Sequence, residues 1–307
     1  MSRDPGPNKE AIGILRRAVE LDPTQARAWN HLGKREYFDA SYSDGGSPAL
    51  ERARADYERA LKIDPNLTDA ASNLVVLQVE GGDLAGALEE ASRILRQRPD
   101  SGRTHFTLGY VLRYTGALEE SARECDAAYA SDPKDPYWRS CAITFIRTGN
   151  YERAVDFIKL DGPSQWAALL QTEVCLRQGR NAEALATLRK SNLVSGPSER
   201  VAMACLEGRP LPENDPSLRD LESLVSAGRD SEPKYFEAGR LAYCGYSATS
   251  LRLLRRSVEG NYLVYPAIDR DPLFAKVRNT PEYPSIRALA IEKQKKLAER
   301  RGTAAAK

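Results

Sequence analysis

Two histidines and five cysteines are the residues of this 307-residue chain best suited to act as bases, nucleophiles or metal ligands. The cysteines, Cys125, Cys141, Cys175, Cys205 and Cys244, are widely separated and form no CxxC pair, and His31 and His105 are not spaced as ligands. No metal site is expected from such a set. An odd number of scattered cysteines reads as free thiols packed as small hydrophobes, which suits a reducing compartment. Nucleophilic catalysis needs a base held beside its nucleophile. His105 stands where an equivalent stretch places Trp29, and His31 has no cysteine in its own helical unit, so both read as packing residues. Glu89-Glu90 and Glu119-Glu120 are adjacent on helical patterns and do not face each other. No phosphate-cradling GxxxxGK[ST] run is present. The chain reads as non-enzymatic, with no catalytic residue and no cofactor.

The elements that carry these residues repeat. Gly102–Asp135 holds two amphipathic patterns, Arg103–Tyr114 and Leu118–Ala130, with a turn at Thr115-Gly116 and a stop at Asp132-Pro133. Closing prolines fall at Pro23, Pro65, Pro99 and Pro133, at intervals of 42, 34 and 34 residues, the first being 34 plus an eight-residue insertion. Twelve positions before each proline stand small residues, Ala11, Ala53, Ala87 and Ser121; eight before stand Leu15, Tyr57, Ala91 and Cys125. Six after the first three come Trp29, Ala71 and His105, followed three further on by Leu32, Leu74 and Leu108. Small residues at fixed spacing let two antiparallel helices approach closely. Proline ends the second helix because it lacks an N–H and clashes with the preceding turn. Such a unit cannot bury its apolar face alone, so copies must stack.

Trp29, Leu32 and Gly33 in a first helix, and Ala53, Tyr57, Ala60 and Pro65 in a second, resemble the tetratricopeptide repeat family. The resemblance implies an all-α, right-handed superhelical solenoid that serves as a protein–protein interaction scaffold. It also implies that the first helices line a concave surface through the second, fifth, ninth, twelfth and thirteenth positions of each repeat. Carried over onto this sequence, those positions include Asn30, Lys34 and Tyr37, then Arg103, Phe106, Tyr110, Arg113 and Tyr114, then Arg139 and Arg147, and finally Arg177. Some members of the family grip a partner's terminal carboxylate with Lys and Asn side chains spread over three repeats. Asn30 and Lys34 hold the first two of those places in swapped order, Asn73 matches the third, Arg103 is a basic stand-in for the fourth, and Thr107 leaves the fifth without charge. Interleaved arginine forks and rigid tyrosines suit an acidic protein or peptide segment with an aromatic or apolar anchor. Arg103, Arg113, Arg139 and Arg147 are expected on one open strip.

The rest of the organisation follows from the same register. Residues 1–8 are expected to fray, 9–194 to form the solenoid with Asp39–Pro48 as a flexible insertion or lip, 195–261 to form divergent helical repeats, and 262–307 to form a cap and a basic helical tail. With 41% hydrophobic and 29% charged residues, a net charge of +2 and no apolar run of spanning length, neither a membrane nor nucleic acid is expected as a partner, and the cytoplasm is the expected location. Tyr37–Tyr42, His105–Gly116 and Tyr265–Phe274 resemble the C-terminal repeat regions of bacterial signalling proteins with kinase-like, cyclase-like or DNA-binding output domains. That likeness implies a docking role in signalling. The alternatives are a regulatory fragment of a multi-domain kinase or cyclase, and a nucleic-acid-associated regulator using the basic tail Glu292–Lys307.

Overall fold

The computed structural model describes residues 5–191 and 196–305, with side chains to residue 300. Helix α1 (Pro5–Leu21) precedes seven helical hairpins: α2 (Ala26–Tyr42) with α3 (Gly46–Ile63), α4 (Thr68–Glu80) with α5 (Leu84–Gln97), α6 (Gly102–Thr115) with α7 (Leu118–Ser131), α8 (Cys141–Thr148) with α9 (Tyr151–Lys159), α10 (Gln165–Arg177) with α11 (Asn181–Lys190), α12 (Pro197–Leu206) with α13 (Pro216–Ala227), and α14 (Glu232–Cys244) with α15 (Ser247–Glu259). A 3-10 turn, Pro136–Ser140, leads into α8. Beyond α15 come the single turn α16 (Ala267–Arg270), a second 3-10 turn, Pro272–Phe274, and the long α17 (Tyr283–Ala305). No strand occurs among the described residues, and the fold is an all-α repeat solenoid.

The spacing read from the sequence has direct physical counterparts. At Gly33 a Cβ would stand 2.8 Å from the Tyr57 ring and 2.9 Å from the Ala53 carbonyl oxygen, so only glycine lets α2 and α3 cross here. Ala53, Ala87 and Ser121 are wholly buried at the matching crossings. The first helices are fastened at their starts by one recurring bond. Trp29 Nε1 donates to the Pro23 carbonyl at 3.0 Å, Trp138 Nε1 to that of Asp132 at 2.9 Å, and His105 Nε2 lies 3.0 Å from that of Pro99. His105 therefore does the work of a repeat tryptophan. Gly116 and Gly149 close α6 and α8 with left-handed backbones, φ 81° and 80°, a conformation that costs glycine least.

Three expectations need correcting. The first is the insertion, which is not a loop. Residues 39–42 extend α2 and 46–48 begin α3, leaving only Ser43–Gly45 between them. Asp39, buried against this turn, accepts the backbone N–H groups of Ser43 and Gly45 on its carbonyl at 3.1 and 3.2 Å. Second, of the frayed segment, residues 1–4 lie outside the described residues, whereas 5–8 are helical, with Asn8 buried and donating to the Arg35 carbonyl at 3.0 Å. Third, the cysteines are not all free thiols. Cys125 pairs with Cys141 and Cys205 with Cys244, leaving Cys175 buried and free. Each bridge joins consecutive hairpins, so the cysteine argument for a reducing compartment no longer stands. Within the segment expected to hold divergent helical repeats, one bond of the earlier units recurs. Ser250 donates to the Ala238 carbonyl twelve residues earlier, as Ser121 does to that of Gly109, both at 2.7 Å. The expected boundary at 194/195 lies outside the described residues.

Candidate functional site

The expected open strip of arginines divides into two parts. In the inner part the superhelix closes on its own later residues. Tyr110, Arg113, Tyr114, Arg147 and Arg177 are all buried. Arg113 donates two bonds to Glu232 at the head of α14, at 2.7 and 3.1 Å, and a third to the Ser140 carbonyl. Arg177 binds Asp271 at 2.8 Å and Glu173 at 2.5 Å. Arg147 lies 3.7 Å from Asp271 and stacks over the Tyr235 and Phe236 rings at 4.2 and 4.3 Å. Burial alone would disfavour these charges; the facing carboxylates offset it and hold Arg113 and Arg177 above their ordinary range. Tyr262 joins the same cluster, donating to Glu232 at 2.8 Å with its ring edge-on to Tyr114.

The enclosure is completed by backbone. The Leu263 N–H donates to the Tyr114 carbonyl at 2.8 Å, and Asn261 donates to that of Gly82 at 2.8 Å. From α17, Gln294 bonds the Thr115 and Tyr265 carbonyls at 3.0 and 2.9 Å. Within the expected basic tail, Lys293 is engaged with Glu259 and Asn261. The acidic and aromatic stretches Asp230–Glu237 and Tyr262–Asp271 thus cover the inner arginines. Reading positions within repeats finds the arginines but misses these partners, whose only signal is acids set among aromatics.

The outer part remains accessible. Lys34 on α2, Arg103 on α6 and Arg139 in the 3-10 turn are partly exposed, the first two against the Tyr137 ring and the third over that of Trp166. The Arg103 guanidinium stacks 3.5 Å from the centre of the Tyr137 ring, and the Lys34 ammonium stands 5.1 Å from it. Asn30 and Asn73, both buried, form a hydrogen-bonded row with Arg103: Asn73 Nδ2 to Asn30 at 2.9 Å, and Arg103 to Asn73 Oδ1 at 2.6 Å. Phe106 supports the site from below, 4.8 Å from Tyr137. Arg139 pairs with Asp161 at 3.1 Å and lies over Trp166 at 5.4 Å; Arg103 has Asp69 at 3.7 Å. Lys34 has no ion-pair partner among the described residues. Burial, then the charges of Arg103 and Arg139, push its pKa down to about 8.

Tyr37, the remaining expected site residue, points instead to a half-buried carboxyl. Its hydroxyl donates to Glu80 at 2.8 Å, and Tyr110 donates to the same oxygen at 2.7 Å. Tyr110 and Tyr114 hydroxyls are 3.3 Å apart, and Tyr114 donates to Asp230 at 3.0 Å. Burial and the proximity of Asp230 raise Glu80 to about 8; burial and Glu232 raise Asp230 to about 6.

No helix among the described residues is long and apolar enough to cross a membrane. A family model described as tetratricopeptide repeat matches residues 49–105. Tetratricopeptide repeat protein 37 of Xenopus laevis is 27% identical over 150 residues, 48% of this chain and 9% of its own length. Anaphase-promoting complex subunit 7 of Arabidopsis thaliana is 27% identical over 130 residues, 42% of this chain and 22% of its own. The chain thus spans a small fraction of either relative. Among solved structures, a thermophilic repeat protein of Thermus thermophilus superposes with a TM-score of 0.48 at 21% identity, covering 59% of this chain and 98% of that one. A repeat protein of Parabacteroides merdae superposes with a TM-score of 0.46 at 13% identity, covering 86% and 98%. Repeats of this kind generally mediate protein–protein interaction and are generally not catalysts. The match over residues 49–105 identifies tetratricopeptide repeat sequence within an array of stacked helical hairpins.

Proposed function

We propose that the chain is a non-catalytic scaffold that binds an acidic segment of a partner protein at the outer part of its concave face. The observation that carries this reading is the placement of Lys34 and Arg103 against the Tyr137 ring, with Arg139 over the nearby Trp166 ring and no ion pair to Lys34 among the described residues. Asp69 faces Arg103 and Asp161 pairs with Arg139, which leaves the Lys34 ammonium facing the aromatic surface of Tyr137. An Asp or Glu side chain, or a terminal carboxylate, satisfies Lys34; an adjacent aromatic or apolar residue covers the rings. A docking role in bacterial signalling is an extension of this reading, supported by the likeness of the three sequence stretches named above.

Peptide display against the whole protein tests the proposal. Selected peptides should be enriched in Asp or Glu beside an aromatic residue, and Lys34→Glu with Arg103→Glu should abolish their binding. Affinity should also fall as pH rises through about 8, because the lysine is charged below that value and neutral above it. Selection of peptides without acidic residues, or binding unchanged by the double substitution, would place the partner site elsewhere.

A further inference from the structure

Tyr37, Glu80, Tyr110, Tyr114 and Asp230 form one chain of hydrogen-bonding oxygens that runs from α2 through α4 and α6 to the residue pair preceding α14. Four contacts link them: Tyr37 to Glu80 at 2.8 Å, Tyr110 to Glu80 at 2.7 Å, Tyr110 to Tyr114 at 3.3 Å and Tyr114 to Asp230 at 3.0 Å. Each phenol carries a single hydrogen. With both carboxyls ionised, three hydrogens must serve four contacts. If Tyr110 donates to Glu80 and Tyr114 to Asp230, the Tyr110–Tyr114 contact has none, and it is the longest of the four.

One added proton completes the chain. On Asp230, it is donated to Tyr114, whose own hydrogen then turns to Tyr110, and that of Tyr110 stays on Glu80. On Glu80, it is donated to Tyr110, which donates to Tyr114, which donates to Asp230. Tyr37 donates to Glu80 in both arrangements, so the proton can rest at either end without any heavy atom moving.

The surrounding cations compensate this chain only in part: Lys234 acts on Asp230 across space and opposes the rise of its carboxyl. Arg113 lies over the Tyr110 ring at 4.4 Å, but its guanidinium is committed to Glu232, which also takes the Tyr262 hydroxyl. Lys234 donates to the backbone carbonyls of Gly228 and Asp230 rather than to a carboxylate of the chain. Arg229 lies over Gly81, where a Cβ would stand 3.1 Å from its guanidinium. The hydroxyl of Tyr42 and the carboxylate of Glu232 add no positive charge.

We propose that this five-residue chain holds one exchangeable proton at neutral pH and acts as a proton-sensitive latch joining the N-terminal repeats to the start of α14. The direction of the carboxyl shifts agrees: burial and mutual repulsion raise both Glu80 and Asp230. A raised carboxyl means that the folded state binds a proton which the unfolded chain has already released. Stability from this group is therefore complete below the ordinary carboxyl range and is lost as pH rises toward the folded-state value. The latch is distinct from the proposed partner site, since Lys34, Arg103, Arg139 and Tyr137 are not among its five members.

Two measurements on the whole protein decide it. Carboxyl-carbon NMR titration of the wild type, assigned through bonds from the backbone, should show Glu80 or Asp230 titrating above about pH 6. Melting temperatures from about pH 5 to about pH 9 should fall in the wild type by roughly 5 °C more than in Glu80→Gln, whose side chain cannot ionise. Both carboxyls titrating below about pH 5 would remove the proton and overturn the proposal. A raised titration accompanied by parallel melting profiles in wild type and Glu80→Gln would remove the latch and overturn it equally.

Discussion

The side chains that most define this molecule are its buried arginines, and their cost decides how they behave. A guanidinium removed from water is tolerated only when paired, and deleting one partner strands the other charge. Glu232 receives both Nε and Nη2 of Arg113, with side-chain exposures of 7% and 1%. Glu232→Ala should therefore lower stability by about 3–5 kcal/mol in chemical denaturation, whereas replacing both residues together by Leu and Met should recover most of the loss. A single substitution within about 0.5 kcal/mol of wild type would mean that Arg113 is hydrated or finds another acid. Exposed pairs such as Arg252–Glu222 contribute far less, on the order of 0.2–1 kcal/mol. At this scale the sequence is half legible. Arg113 and Arg147 stand 34 residues apart, so their common direction follows from the period. Glu232 lies 119 residues beyond Arg113, and no local pattern couples them.

At the scale of helices much of the sequence is legible, because several boundaries have their own chemical cause. Asp83 accepts the Gly86 N–H at 3.0 Å to start α5, and Asn150 that of Arg153 at 3.1 Å to start α9. Gly116 and Gly149 end first helices, and the prolines end second ones. The exception is Asp39–Pro48, whose Ser, Gly and Asp content suggests a loop although most of it lies in helices. Packing overrides composition there: Phe38 and Tyr42, one turn apart on α2, meet edge to face at 5.9 Å, and Ala49 is fully buried at the start of α3. Close helix crossings set the tolerance of the array to substitution. Ala87 has no exposed surface where α5 meets its neighbours, so Ala87→Leu should overpack and cost about 1–3 kcal/mol. An unchanged denaturation midpoint would show that the crossing lies elsewhere.

For the molecule as a whole, enclosure changes what a repeat array ordinarily does. The accessible surface is 14553 Å² for 34.0 kDa. A compact monomer of that mass exposes about 12,800 Å². The excess is small because α14, the segment Asn261–Phe274 and α17 fill the space that an open superhelix would leave to solvent. None of this was legible in the sequence. Beyond residue 191 the period fades, and the closing contacts, such as Asn261 with Gly82 and Gln294 with Thr115, are each 179 residues apart. An open array couples only neighbouring repeats, so damage at one end leaves the other intact. Here one continuous apolar cluster runs from Val75 through Tyr235 and Phe274 to Leu297. Phe274 is fully buried, edge-on to Tyr235 at 5.2 Å, and Tyr235 is in turn edge-on to Tyr262, the neighbour of Tyr114. Phe274→Ala should cost about 3–5 kcal/mol. Native-state hydrogen exchange should report that loss in the amides of α4 and α6 as well as in α14, because their opening requires the same core to separate. Exchange that accelerates only in α14–α17, with α4–α6 unchanged, would show that the two ends open independently and that the enclosure does not couple them.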